Sequence, residues 1–123
     1  MDPSISIING KIVVALGDDI DSSIADLDII WAVYNYEDCC YDGAGKVIGK
    51  YKSGEYFTGD LSHGSCYGPT NDLPGGDNFD TLEDAIKDIT PISPSDYDIG
   101  FVKSIIKWLA EHGEPGIPST DPC

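Results

Sequence analysis

The chain contains no arginine, and only seven lysines stand against 22 aspartates and glutamates, for a formal net charge of −15 over 123 residues. Guanidinium groups are the usual bidentate donors to phosphate, and a surface this negative repels both the nucleic-acid backbone and anionic lipid. Direct nucleic-acid binding and membrane-surface binding are therefore not expected. Nor is there an apolar run near the ~20 residues that a membrane-spanning helix needs. The start, Met-Asp-Pro-Ser, lacks the basic lead of a secretory signal, so the expectation is a soluble cytoplasmic protein. Cysteine is sparse and poorly spaced: Cys39 and Cys40 are adjacent, Cys66 stands alone, and Cys123 is the last residue. That arrangement makes a weak disulfide framework, and reduced thiols are expected. Neither a P-loop nor a dinucleotide-binding glycine pattern occurs, and no cofactor is expected.

What is present suffices for a globular domain. Hydrophobic residues make up 41% of the chain, enough for a modest core, so the charge does not imply disorder. We expect a single domain over residues 1–113 and a flexible tail over 114–123, where Pro115, Pro118 and Pro122 prevent regular structure. SISIINGKIVVALG reads as a hairpin. Asn9-Gly10 is the dipeptide that a two-residue type I′ turn requires, with Ile5, Ile7, Ile12 and Val14 at alternate positions around it. GDDIDSSIADLD is either a short helix beginning near Asp21 or a loop. IIWAVYNYE is the strongest strand signal, with Ile30, Ala32, Tyr34 and Tyr36 alternating with Ile29, Trp31 and Val33, so that both faces can pack. KVIGKYKSGEYFTGDL predicts two strands around Ser53-Gly54, and NDLPGGDN predicts a loop.

The last third turns helical. Thr81-Leu-Glu-Asp84 resembles a capping box, followed by Leu82, Ala85, Ile86 and Ile89 on one face. A second helix is predicted from Ser95-Asp-Tyr-Asp98, with Ile99, Val102, Ile105, Ile106 and Leu109 as its apolar stripe and Gly113 as its stop. Strands first and helices last argue for an α+β fold: a small antiparallel β-sheet built from hairpins, covered by two C-terminal helices.

The charge is unevenly distributed. Asp18, Asp19, Asp21, Asp26 and Asp28 crowd one segment, and Asp72, Asp77, Asp80, Glu83, Asp84 and Asp88 crowd another, whereas Lys46, Lys50 and Lys52 make residues 46–52 locally basic. Acidity can serve solubility alone, and Asp84 and Asp98 suit helix N-termini. The remaining acids favour cationic partners, including proteins that hold DNA or RNA.

The middle of the chain runs YEDCCYDGAGKVIGKYKSGEYFTGDLSHGSCYG. At Tyr36, Glu37, Tyr41, Gly43, Lys52, Gly54, His63, Ser65, Cys66, Tyr67 and Gly68 it resembles a group of small phage and prophage proteins. That group carries Tyr-Glu, Tyr-x-Gly, a Lys-x-Gly hairpin and a His-Cys-Ser-Cys-Tyr-Gly segment. The resemblance covers about the middle third, by short motifs. It implies a viral origin, and hence the host cell cytoplasm, rather than a reaction. Where the group has its first motif cysteine, this chain has Gly64.

That departure weakens a zinc clamp. A site from Cys39 or Cys40 with His63 and Cys66 can be drawn, but no CxxC pair supports it. His63 and Cys66 as base and nucleophile lack an orienting carboxylate, and no catalytic residue is expected. The motif reads instead as a structural corner, with Gly64 and Gly68 allowing a tight path and Pro69 ending strand pairing. His112 is read as a complement to the helix C-terminus. The functional expectation is an acidic, phage-type inhibitor that acts as a DNA or RNA mimic. Its two acidic segments would occupy the basic nucleic-acid-binding surface of a host defence protein such as a CRISPR effector or restriction-type nuclease. The alternatives are an immunity protein to a basic toxin and a metal- or ligand-binding module around His63, Cys66, Trp31, Tyr34 and Tyr36. The composition leaves a homodimer possible.

Overall fold

The computed structural model describes residues 4–8, 10–18, 28–39, 42–63, 78–90 and 99–113. They form an α+β fold, with a mostly antiparallel sheet of six strands followed by two helices. The strands are β1 (Ser4–Ile8), β2 (Lys11–Ala15), β3 (Ile29–Cys39), β4 (Asp42–Tyr51), β5 (Tyr56–His63) and β6 (Asn78–Phe79), and their order across the sheet is the order in the chain. The helices are α1 (Leu82–Ile89) and α2 (Ile99–His112). None of the described helices is long and apolar enough to cross a membrane.

The turns explain the pairing. Ile8 pairs with Lys11 and Gly10 has φ 81°, a conformation that costs glycine nothing and L-residues a good deal. Gly54, with φ 102°, closes the β4–β5 hairpin in the same way. The expected all-antiparallel sheet needs one correction: β2 and β3 run parallel, with Ile12 beside Trp31 and Val14 beside Val33. The connection over residues 16–28 is long enough for the crossover that a parallel pair demands, whereas hairpin turns join antiparallel neighbours. Three strand boundaries also differ from expectation. β3 and β4 extend to Cys39 and Asp42 as a further hairpin, His63 of the predicted corner is the last residue of β5, and Asn78-Phe79 make a short strand. The corner's remaining motif residues, Gly64 to Pro69, lie outside the described residues, as do most of the acidic 17–28 segment, the helix start predicted at Ser95 to Asp98 and the 114–123 tail.

β3 is buried on both faces, as its double alternation predicted, but the two sets are divided differently. Ile29 packs with Ala32, Tyr34 and Tyr36, while Trp31 and Val33 pack on the opposite side. A bulge between Ile29 and Trp31 inserts one residue into the period-two pattern, so positions before and after it exchange faces. The Trp31 face is covered by both helices. Val14, Trp31, Val33, Ile48 and Tyr56 meet Ala85 and Ile89 of α1 and Val102, Ile105, Trp108 and Leu109 of α2. The other face gathers Val13, Ala15, Tyr34, Tyr36, Val47, Phe57 and Leu61, all buried. On that face Gly49 lies beneath the Phe57 ring; a Cβ there would overlap the ring and sit 2.7 Å from the Trp31 carbonyl oxygen.

Each helix is set by its termini. Thr81 is extended, and its hydroxyl accepts a hydrogen bond from the Asp84 amide at 3.2 Å, satisfying one of the free N–H groups of α1. Gly113, with φ 76°, ends α2 by donating its amide to the Leu109 carbonyl at 2.7 Å. His112 bonds through Nδ1 to the Trp108 carbonyl at 3.1 Å and stacks on the Trp108 ring at 4.5 Å, beside the free carbonyls of the helix end. Phe101 and Trp108 join the expected apolar stripe of α2.

Candidate acidic binding surface

The amphipathic pattern of α1 dictates where its charges go. Ala85 and Ile89 are buried and Leu82 and Ile86 half-buried against the sheet, which forces Glu83, Asp84, Lys87 and Asp88 outward. Asp80, just before the Thr81 cap, is exposed as well. Asp84 and Asp88 are four residues apart and so stand on one side of the helix, about 6 Å apart along its axis. Glu83 and Asp84 sit in the first turn, where the exposed amide dipoles favour negative charge. Asp88 accepts a hydrogen bond from the Thr58 hydroxyl at 2.6 Å, which ties α1 to β5. Among the described residues no lysine forms an ion pair with Asp80, Glu83 or Asp84.

Tertiary structure adds acids that are distant in sequence. Glu55, just before β5, accepts a hydrogen bond from the side-chain amide of Asn78 at 3.2 Å, beside the strand that leads into Asp80. Its influence is visible in Tyr51, whose phenol is pushed above its ordinary value, first by burial and then by the Glu55 carboxylate. Asp60 stands two positions along β5 from Thr58, the partner of Asp88. One edge of the molecule thus carries Glu55, Asp80, Glu83, Asp84 and Asp88, with Asp60 farther along β5 and paired with Lys46.

Of the first acidic segment, Asp18 and Asp28 are the described acids. The Asp18 amide bonds the Tyr36 carbonyl at 2.7 Å, whereas Asp28 directly precedes β3. These two carboxylates therefore mark opposite ends of β3, separated by eight residues of extended chain or about 26 Å. They do not stand side by side. Asp28 also has a cation within reach, the Lys52 amine at 3.7 Å, and Lys46 pairs with Asp60. The locally basic stretch is thereby spent on the chain's own acids and one aromatic ring, since Lys50 lies 5.2 Å over Tyr56. Asp19, Asp21, Asp26, Asp72 and Asp77 lie outside the described residues.

Of the drawn metal set, Cys40 and Cys66 lie outside the described residues, Cys39 pairs with Asp42, and His63 pairs with Gly43. Among the described residues no group of three or more histidines, cysteines or carboxylates could hold a metal ion. The aromatics proposed for a ligand site, Trp31, Tyr34 and Tyr36, are core residues, each at most 2% exposed. Sequence reasoning missed a polar cleft of about 350 Å³ lined by Asn35, Glu37, Gly100, Phe101 and Ser104. Its only signal was the change from apolar to polar residues along the helix-covered side of β3, where Trp31 and Val33 give way to Asn35 and Glu37.

Fold and surface together define a class: an acidic α+β protein whose helical edge displays carboxylates. Compared with protein-family models, curated proteins and solved structures, the chain matches none of them.

Proposed function

We propose that this protein binds, through its α1 edge, the cationic groove of a nucleic-acid-binding protein, and inhibits it by occupying the place of the phosphates. The observation that carries the reading is the group of exposed carboxylates Asp80, Glu83 and Asp84, which have no lysine partner among the described residues. Duplex DNA presents one charge per roughly 1.7 Å of axis, so a mimic needs neighbouring carboxylates rather than many scattered ones. The α1 edge supplies neighbours: successive turns of one helix, extended by Glu55 just before β5, whereas Asp60 is neutralised by Lys46. Of the first acidic segment, the two described acids, Asp18 and Asp28, stand at different ends of the sheet. The resemblance of the middle third to phage proteins makes a host defence protein, such as a CRISPR effector or restriction-type nuclease, the natural target.

The test is capture of host nucleic-acid-binding proteins on the immobilised chain, with and without competing duplex DNA. Retention is expected at low salt, with release by DNA and at 1 M salt, where the Debye length is about 3 Å. Replacing Asp80→Asn, Glu83→Gln and Asp84→Asn together should weaken binding by roughly tenfold, at a few tenths of a kcal/mol per exposed charge. Failure to retain any basic protein, or retention indifferent to the triple replacement, would remove the proposal.

A further inference from the structure

The opposite edge of the sheet has a different character. β1 is the outermost strand, and among the described residues no strand pairs with its outer side. Ile5 is 60% exposed and Ile7 69%. Ile5 stands opposite Val14 and Ile7 opposite Ile12, so both continue the face that the helices cover elsewhere. Sheets that remain single protect such an edge with lysine, proline, a bulge or an inward-pointing charge. Ser4–Ile8 contains no charged residue and no proline, in a chain where charged residues make up 24%.

We propose that β1 is a self-pairing edge, along which a second copy of this chain adds its own β1 antiparallel across a two-fold axis. The sequence SISII is self-complementary in that register: centred on Ser6, Ile5 of each copy lies opposite Ile7 of the other. These are β-branched pairs on one face, the kind that stabilises adjacent strands. Charge selects this occupant over a cationic one. A basic groove gains nothing from a neutral strip, whereas two bodies of −15 can approach closely only where local charge is absent. Sheet order completes the argument. With β1 at the centre of a joined sheet, the α1 edges fall at its two extremes, about 50 Å apart at the usual strand spacing and far beyond a Debye length. The acidic surface stays open in the dimer.

Sedimentation of the full chain over a range of concentrations tests this directly. A monomer–dimer equilibrium is expected that tightens as salt is added, because salt screens the repulsion between copies; binding to a basic partner should respond to salt in the opposite sense. Ile7→Glu, at an exposed position, should leave the far-UV spectrum unchanged and weaken the dimer at least tenfold, while Ile7→Val should retain it. Hydrogen exchange on the unmodified chain supplies a readout that needs no variant: β1 amides should slow as the dimer fills. A monomer at every salt and concentration would overturn the proposal. So would a dimer indifferent to Ile7→Glu, or β1 amides that exchange equally fast in both states.

Discussion

At the scale of single residues, much of this structure turns on where a side chain is absent. Gly49 lies on the face where Phe57 and Tyr51 stack, their ring centroids 4.8 Å apart. A methyl group at Gly49 would displace Phe57 and meet the backbone of β3, so Gly49→Ala should cost about 1–3 kcal/mol, measurable by urea denaturation. The reason is overpacking rather than backbone strain. Nothing in KVIGKY announces this, because the ring that fills the space comes from the next strand. The Lys46–Asp60 pair is similarly invisible in the sequence. Its partners are 14 residues apart, and only the β4–β5 register sets them opposite one another.

At the scale of elements, periodicity was informative wherever one residue class alternated cleanly. α1 begins at the cap that Thr81 and Asp84 predicted and buries the stripe that Leu82, Ala85, Ile86 and Ile89 predicted. Removing the cap hydroxyl with Thr81→Ala should lower stability by about 1 kcal/mol, with the loss appearing first as faster amide exchange in the opening turn of α1. The strand IIWAVYNYE was equally legible, except at its bulge. A bulge leaves no mark on composition; it exists because β4 pairs with β3 in a register that needs one extra residue, and Ile29 changed faces as a result. The parallel joint between β2 and β3 was illegible for a related reason. Strand direction depends on where the connecting chain travels, and a loop-or-helix reading of GDDIDSSIADLD does not fix that path.

For the whole molecule, the excess of negative charge is a burden on the fold as well as the basis of the proposed recognition. Each of the ten aspartates and glutamates whose side-chain exposure is described lies at the surface, so no carboxylate among them is buried in the core. Self-repulsion of a −15 chain opposes the compact state, and added monovalent salt should raise the melting temperature until the repulsion is screened. A melting temperature that falls with salt would mean that attractive pairs such as Lys52–Asp28 outweigh the repulsion. The polarity of the sheet matters at this scale too, with a neutral, apolar edge at β1 and an acidic edge at α1.

Sequence by itself determined the fold class, the sign and size of the charge, both helices, and the turns at Gly10 and Gly54, because capping, periodicity and positive φ are local properties of a few neighbouring residues. It also named the carboxylates. Only the tertiary structure decided which of them are neighbours. It set Asp18 and Asp28 at opposite ends of β3, joined Glu55 to the α1 edge, and placed Lys46 and Lys52 beside acids of their own chain. Charge acts through distance in space, and strand register, rather than position along the chain, sets those distances.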